Sequence, residues 1–206
     1  MTNKLTIITL NQENIVDFAE ARNNALAKVK TPWVLFLDED EKMSPELESE
    51  IHKAIEDSDF DAYYLKRRDI FLGCELKYGE TGNASFIRLA KKEYGKWERP
   101  VHEVWTGSGK VGKLNNPLVH YPHKSISSFL SKIDHYSTID SKFRKVHGIK
   151  SSLFKIAVYP FAKFFYNFII KLGFLDGTPG VIMAAMMSFH SYLTWTKLFL
   201  LQQKKS

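Results

Sequence analysis

Cysteine is almost absent from this chain, and acidic residues are scarce in its C-terminal part. The single cysteine, Cys74, excludes an internal disulfide and is typical of a reducing compartment. Residues 124–206 hold 12 of the basic side chains and only 3 of the acidic ones, a net charge of about +9, whereas residues 1–123 carry about −3. The first ten residues are too short and too polar for a signal peptide, so none is expected.

The C-terminal part combines its positive charge with long apolar runs. Basic residues that flank apolar runs are typical of proteins that bind an anionic membrane surface. A nucleic-acid-binding module would instead interleave them with exposed aromatic residues on a polar surface. We therefore expect a membrane partner and no nucleic acid. The chain has room for one core domain, 1–123, followed by a basic helical region, 124–206.

Residues 153–174 are predicted to form a helix that lies in the membrane interface. Polar residues recur at every fourth position and so share one stripe of a helix, while aromatic and aliphatic residues occupy the other side. This arrangement would direct the lysines toward lipid headgroups; the alternative is an amphipathic helix packed on the protein. The stripe consists of Lys155, Tyr159, Lys163, Asn167 and Lys171.

Residues 181–201 form a second apolar segment. Their only ionisable side chains are His190 and Lys197, and about 20 predominantly apolar residues can cross a bilayer. Interspersed serines and threonines weaken the apolar character of this segment. A membrane-spanning helix and an interfacial or re-entrant helix are equally consistent with its composition.

Residues 1–123 alternate short apolar runs with helical patterns, which indicates an α/β fold. A helix is predicted over 15–29 and ends before Pro32, and the next one, over 45–55, begins after Ser44. Strands are predicted over 6–10, 33–37, 62–68, 71–78, 85–89, 101–105 and 118–121, and a further helix over 125–145.

An apolar run that ends in four consecutive acids is the most informative local feature. Val34 to Leu37 reads as a buried strand, and Asp38 to Glu41 follow it directly. Open α/β sheets bind ligands at the carboxyl ends of their strands, and clustered carboxylates there favour a divalent cation such as Mg²⁺ or Mn²⁺. The alternative is a solvated acidic turn that leads into the helix after Ser44.

The acidic cluster belongs to a longer pattern that resembles a known family. The pattern comprises Asp17 to Leu26 with Arg22-Asn23, the DxD motif Asp38-Glu39-Asp40, Phe71-Leu72-Gly73, Phe86-Ile87-Arg88-Leu89, Trp97 to Glu103 and Gly173 to Gly177. It resembles the family 2 glycosyltransferases of GT-A fold, within them the bacterial lipopolysaccharide-core, β-glucosyltransferase-like subgroup. The resemblance implies a truncated GT-A (Rossmann-like) mixed sheet with helices, to which the C-terminal amphipathic membrane-associated helices are added.

The resemblance also implies roles for the carboxylates and a histidine. Asp40 would be the best metal ligand, and Asp38 would contact the ribose or the metal and its water shell. Glu103 would be the general base and His102 a metal or diphosphate contact. Without the resemblance, His102 reads as a hydrogen-bonded imidazole and Glu103 as the partner of a Lys or Arg. Glu41 is expected to support the loop or to cap the next helix.

Four further residues are expected to bind substrate or nucleotide. Arg22 and Asn23 precede the DxD strand, and arginine suits bidentate contacts with phosphate. The alternative for Arg22 is an ion pair on a solvated helix face. Arg88 is expected to bind phosphate or to brace the loop, and Trp97 to stack on a sugar or to lie in the core.

The chain departs from the family pattern at its N-terminus. Only about 16 residues precede Asp17, so most of the nucleotide-binding half has no counterpart in this sequence. The leading hypothesis is an inverting glycosyltransferase that uses a nucleotide-sugar donor, with a UDP-sugar favoured, and a lipid-linked or cell-envelope glycan acceptor at the cytoplasmic face of the membrane. The alternative is a non-catalytic membrane-associated scaffold or a subunit whose partner protein completes the nucleotide site.

Overall fold

A computed structural model describes residues 4–10, 15–56, 59–82, 84–100 and 102–203. The chain divides into two compact units, one formed by 1–68 with 83–121 and the other by 69–82 with 122–206. The segment 69–82, which the sequence analysis grouped with the N-terminal domain, therefore belongs to the unit that contains the C-terminal helices.

The first unit is built on a mixed β-sheet. The strands of the chain are β1 Leu5–Leu10, β2 Trp33–Asp38, β3 Glu41–Lys42, β4 Ala62–Phe71, β5 Cys74–Leu76, β6 Ser85–Lys91, β7 Gly95–Glu98, β8 Val104–Gly107, β9 Val111–Lys113 and β10 Leu118–His120. All belong to the first unit except β5 and the last three residues of β4. β1 pairs parallel with β2, and β6 pairs antiparallel with both β2 and β4. β9 lies parallel to β4, β3 pairs with β10, and β7 and β8 form a separate ribbon. The fold class is the predicted truncated GT-A-like α/β arrangement.

Strand β2 is buried along its whole length because both faces of the sheet are covered. Its side chains alternate between two hydrophobic clusters. Leu35 and Leu37 pack with the helix α2, Pro45–Glu56, and Val34 and Phe36 pack with α1, Phe18–Ala27. This packing fixes the strand, and with it the position of the acidic residues at its carboxyl end.

Helix α1 is shorter than the predicted 15–29 because side chains and backbone define both of its ends. Asp17 is the N-cap, and its carboxylate accepts a hydrogen bond from the backbone N–H of Glu20. Lys28 ends the helix four residues before Pro32. Residues 11–14, which include the Asn11 and Glu13 of the predicted loop after the first strand, lie outside the described residues.

The second unit consists mainly of helices that pack on one long apolar helix. They are α3 Ile126–Val146, α4 Leu153–Phe165 and α5 Gly177–Gln203, with a π-helical turn at Tyr166–Ile170 and a 3₁₀ turn at Gly173–Asp176 between α4 and α5. α5 packs against both α3 and α4. The Lys197 ammonium group on α5 donates hydrogen bonds to Asp134, Ser137 and Thr138 of α3. The predicted segment 181–201 is therefore part of a helix that packs against two others in this unit.

Within the described residues, one helical segment is long and apolar enough to cross a membrane. It is Leu153–Ile170, which is 18 residues long and largely exposed. It combines α4 with the π-helical turn. Membrane association of this region is weakly suggested by that length and exposure.

Helix α4 is oriented opposite to the sequence-based expectation. Its polar stripe faces the rest of the second unit: Lys163 Nζ lies 2.7 Å from Glu80 Oε1, and Lys155 Nζ lies 4.9 Å from the centre of the Trp195 ring. Asn167 is buried and donates to Glu80 Oε2. The expectation that the stripe points Lys155 and Lys163 toward lipid headgroups is wrong, because their ammonium groups have partners within the protein.

The loop 77–82 is held in place by the region between α4 and α5, although the sequence of Tyr78 to Gly82 resembles a flexible acceptor loop. The Asp176 carboxylate accepts hydrogen bonds from the backbone N–H groups of Lys77 and Tyr78. The N–H of Gly79 donates to the carbonyl oxygen of Lys171. Asp176 belongs to the Gly173 to Gly177 motif, so one function of that motif is to fix this loop.

We predict that Asp176→Ala releases the loop. Both amides lose a charged acceptor, so their hydrogen exchange should accelerate by about tenfold. Exchange measured by NMR or mass spectrometry checks this. Glu75→Ala is the matched control, because Glu75 is an exposed acid on the same hairpin. Unchanged exchange at Lys77 and Tyr78 in Asp176→Ala would show that other contacts hold the loop.

Candidate active site

Asp38 is the last residue of β2 and lies between two buried arginines. Arg22 Nη2 donates to Asp38 Oδ1 at 2.5 Å, and Arg88 Nη2 donates to Asp38 Oδ2 at 2.6 Å. Arg22 comes from α1 and is only 1% exposed; Arg88 comes from β6. Each oxygen of the first DxD aspartate is thus bound by a guanidinium group. The alternative of a solvated ion pair for Arg22 is wrong.

The arginines determine the charge state of Asp38. Burial on its own would raise the pKa of this carboxyl group, but the guanidinium groups of Arg88 and Arg22 outweigh burial and lower the pKa below the ordinary value of 3.8. Burial likewise opposes the charge on Arg88, yet Asp38 and Glu41 raise the pKa of its guanidinium above the ordinary value. Aspartate and arginine are both ionised at neutral pH.

Glu41 supports the acidic loop, as the sequence analysis expected. Its Oε2 accepts a hydrogen bond from the backbone N–H of Asp38 at 3.0 Å. Its Oε1 lies 3.3 Å from Arg88 Nη2. Ser44, rather than Glu41, provides the side-chain oxygen at the start of α2, where it accepts from the N–H of Leu47. Glu41 therefore closes the turn that carries Asp40.

Glu103, the predicted general base, is held by the same arginine that binds Asp38. Arg22 Nε and Nη2 donate to Glu103 Oε1 at 3.0 and 2.8 Å. The backbone around it is irregular, as expected beside Pro100: Arg99 has φ +74° and His102 has φ +53°. His102 is exposed. Val101 lies outside the described residues.

Asn23 and Trp97 fix the position of Arg22. The Asn23 side chain exchanges two hydrogen bonds with the backbone of Trp97, both 2.9 Å long. The Trp97 ring is 3% exposed and lies 4.6 Å from the Arg22 guanidinium carbon. Of the two alternatives that the sequence left for Trp97, the structure shows the core position. Its ring does not present a surface on which a sugar could stack.

Asp40 lies beside a histidine that the sequence analysis did not select. His120 Nε2 is 3.3 Å from Asp40 Oδ1. The contact depends on the pairing of β3 with β10, in which His120 lies opposite Glu41. No local motif marks His120, because its neighbour in the site is about 80 residues away in sequence.

Comparison with known proteins identifies the family of this arrangement. The profile of Glycosyl transferase family 2 matches residues 2–111, which is more than half of the chain and includes the DxD strand, both arginines and Glu103. The chain belongs to glycosyl transferase family 2. This confirms the family resemblance and supports glycosyl transfer as the general function.

Relatives of this family 2 glycosyltransferase occur in Rickettsia. An uncharacterized glycosyltransferase of Rickettsia typhi is 27% identical over 81% of this chain and 61% of its own length. Those of Rickettsia conorii and Rickettsia prowazekii are 27% and 26% identical over 81% of this chain and 64% and 61% of theirs. The chain thus spans less than two thirds of the length of these relatives.

The residues at the end of β2 fit a divalent metal only in part. Within the described ranges, no group of three or more His, Cys, Asp or Glu side chains is arranged to hold a metal ion. Asp40 and His120 present an oxygen and a nitrogen 3.3 Å apart, whereas both Asp38 oxygens are bound by arginine. Both Asp38 oxygens are thus committed to arginine, and the described residues provide fewer ligands than a metal site held by protein side chains alone requires.

We predict that Asp38→Asn destabilises the first unit by about 3 kcal/mol at pH 7, because it leaves two buried guanidinium groups without a full counter-charge. Urea unfolding followed by tryptophan fluorescence measures the change. The matched control is Glu39→Gln, since Glu39 is exposed between the two aspartates and should change stability little.

The stability difference between Asp38→Asn and the wild type should disappear at acid pH. The folded pKa of Asp38 is lowered, so its stabilising contribution is complete above the ordinary value of 3.8 and is lost as the pH falls through the lower folded pKa. The unfolding free energies of Asp38→Asn and of the wild type should therefore converge at pH values below that folded pKa. A stability difference that persists unchanged at that acid pH would contradict this assignment.

Proposed function

We propose that the chain is an inverting, metal-dependent glycosyltransferase that takes a sugar from a nucleotide-sugar donor. The observation that supports this most is the network formed by Asp38, Arg22 and Glu103, which brings the DxD strand end and the candidate base onto one arginine. A turn stabilised by Glu41 then places Asp40 beside His120. Ordinary surface carboxylates would not need such buried counter-charges.

The reaction follows from these positions as a single displacement. An acceptor hydroxyl attacks the anomeric carbon of the donor sugar and passes its proton to Glu103, and the nucleoside diphosphate leaves with the electrons of the broken glycosidic bond. Both hydrogen bonds from Arg22 go to Glu103 Oε1, so Oε2 is the oxygen that takes the proton. Inversion follows because no covalent intermediate is formed.

The metal site would be formed by Asp40 and His120. When bound, Mg²⁺ or Mn²⁺ neutralises the charge of the leaving diphosphate. Asp38 holds the strand end in place through its arginines, and because both of its oxygens are bound by them, the ribose or water-shell contacts that the resemblance implies for Asp38 are not part of this scheme. His102 is exposed next to Glu103 and would contact the diphosphate. Arg22 and Arg88 act as positioning residues in this scheme.

For the substrates, the proposal names a class of donor and a class of acceptor. A UDP-sugar is the favoured donor and a lipid-linked or cell-envelope glycan, as in lipopolysaccharide-core biosynthesis, the favoured acceptor. β1 pairs with β2 and ends the described sheet on that side. A partner protein that completes the nucleotide site is part of this proposal, and a non-catalytic scaffold derived from a glycosyltransferase is the alternative.

We predict that the detergent-purified chain binds a UDP-sugar only with Mn²⁺ or Mg²⁺ present, and that Asp40→Asn abolishes this binding. Calorimetric titration with UDP-, GDP- and dTDP-sugars, with and without Mn²⁺, measures it. Glu39→Gln is the control: it removes the same charge from the same loop but should retain binding, because Glu39 is exposed and outside the Asp40–His120 pair. Absence of binding under every condition would contradict a stand-alone enzyme and favour the partner-dependent or scaffold alternative.

We also propose that α4 rests on a membrane surface with its aromatic side. Since the polar stripe faces inward, the opposite side presents large apolar side chains to the outside, and Phe161 is 78% exposed. Contiguous exposed apolar surface of this kind marks a membrane or protein interaction site. The other exposed members are Leu153, Phe154, Val158, Phe165, Ile169 and Ile170.

The charge of this region fits an anionic bilayer. Residues 124–206 carry a net charge of about +9, and Lys150 and Lys171 lie exposed at the two ends of the helical segment. Juxtamembrane lysines near an anionic surface contribute about 1 kcal/mol each. An interfacial position would bring the transferase to a lipid-linked acceptor on the cytoplasmic face.

We predict that the double variant Phe161→Glu, Phe165→Glu reduces binding to vesicles that contain anionic phospholipid by at least about tenfold, because two exposed aromatic side chains no longer enter the interface. Vesicle flotation measures the bound fraction, and neutral phosphatidylcholine vesicles should bind the wild type less. Val16→Glu is the control, since Val16 is exposed in the first unit. Equal flotation of the double variant and the wild type would exclude this face as the membrane contact.

A further inference from the structure

A small cavity lies within the second unit, where the loop 77–82, the π-helical turn and α5 meet. Its volume is about 10 Å³, which is the space that one water molecule or one hydroxyl group occupies. Of the residues that line it, Tyr78 and Glu80 are exposed, whereas Met183 and Ala184 of α5 are buried. The cavity therefore lies between the solvent and the packed helices of this unit.

Asn167 presents a buried oxygen without a donor beside this cavity. The residue is 2% exposed, belongs to the π-helical turn and lines the cavity. Its Nδ2 donates to Glu80 Oε2 at 3.1 Å, whereas its Oδ1 has no hydrogen-bond partner among the described residues. The opposite orientation of the amide would place its oxygen against the Glu80 carboxylate, so Oδ1 is the atom that lacks a donor. A buried acceptor in this state costs about 1–3 kcal/mol, which a donating ligand would recover.

The backbone around the cavity is packed closely. A Cβ atom at Gly180 would lie 2.0 Å from the carbonyl oxygen of Gly173, and a Cβ atom at Gly173 would lie 2.7 Å from the carbonyl oxygen of Asn167. Both positions therefore have room only for glycine. The space beside Asn167 persists although these backbones approach one another as closely as glycine permits, so the cavity is not the result of loose packing.

The polar groups that line the cavity select the chemistry of its ligand. The carboxylates of Glu80 and Asp176 disfavour an anion. A cation would compete with donors that are already present, since Lys163 Nζ lies 2.7 Å from Glu80 Oε1 and Asp176 accepts from the backbone N–H of Tyr78. A neutral O–H group suits the site, because it can donate to Asn167 Oδ1, and a carboxylate keeps spare lone pairs for a second hydrogen.

We propose that this cavity binds one O–H group, which donates its hydrogen to Asn167 Oδ1 and thereby joins the loop 77–82 to the π-helical turn. Two sources supply this chemistry, an ordered water molecule and a hydroxyl group of a sugar whose ring stays at the exposed side of the cavity, beside Tyr78. The residues all lie in the second unit, so the site does not depend on the transferase proposal.

Water-to-amide NOE and ROE spectra of the full chain in detergent test this site. We expect the Asn167 side-chain amide to show a cross-peak from a long-lived bound water, which the sign of the ROE separates from proton exchange. Titration with methyl glucoside tests the second source: a sugar hydroxyl in the cavity shifts the Asn167 side-chain resonance saturably and removes the water cross-peak. A water cross-peak that survives the titration identifies water as the source. Absence of both signals in the wild-type chain would overturn the proposal.

Ala184→Val should remove either signal, because its added methyl groups fill a cavity that has room for a single oxygen atom. Ala185→Val is the matched control, since Ala185 is the next residue of α5 and is exposed, so the same methyl groups are added outside the cavity. Wild-type intensity of the signal in Ala184→Val would contradict the assignment to this cavity. The wild-type spectra decide the question by themselves if Ala184→Val does not fold.

Discussion

The Asp38 carboxylate, bound between two guanidinium groups, is the interaction on which the first unit depends most. It joins a helix, the central strand and a neighbouring strand, since Arg22 comes from α1 and Arg88 from β6. Burying these charges costs several kcal/mol per ion unless each has a well-placed partner, and here Glu103 is a second partner of Arg22 and Glu41 a second partner of Arg88. The elements around this carboxylate therefore cannot shift independently of one another.

This constraint separates the two aspartates of the DxD motif. Asp38 directs both of its oxygens into the protein, whereas Asp40 lies beyond the turn that Glu41 closes, next to His120. A metal ligand must exchange its water and phosphate partners during turnover, which a carboxylate held by two arginines does poorly. The motif thus combines a carboxylate fixed by two arginines with one whose neighbour is a histidine.

The sequence predicted the helices and strands better than it predicted the long-range contacts of individual side chains. The apolar run of β2 and the helix start at Ser44 are local patterns, and both elements form close to their predicted bounds. The helix predicted over 153–174 begins at Leu153 but ends as an α-helix at Phe165, where a π-helical turn follows. The partners of Arg22 are 16 and 81 residues away, and His120 meets Asp40 through a strand pairing. Spacing along the chain carries no information about such contacts, because they arise only when distant elements pack together.

Helix α4 shows that a sequence pattern does not reveal the surroundings of a helix face. Periodicity identifies which residues share a face, but not whether that face meets water, protein or lipid. Here Glu80 and Trp195 attract the lysine stripe inward, which leaves aromatic side chains such as Phe161 on the outside. Each large apolar side chain left in water forgoes about 1.5–3 kcal/mol of burial energy. The aromatic side chains on the outer side of this segment are therefore the surface that the proposed membrane contact would bury.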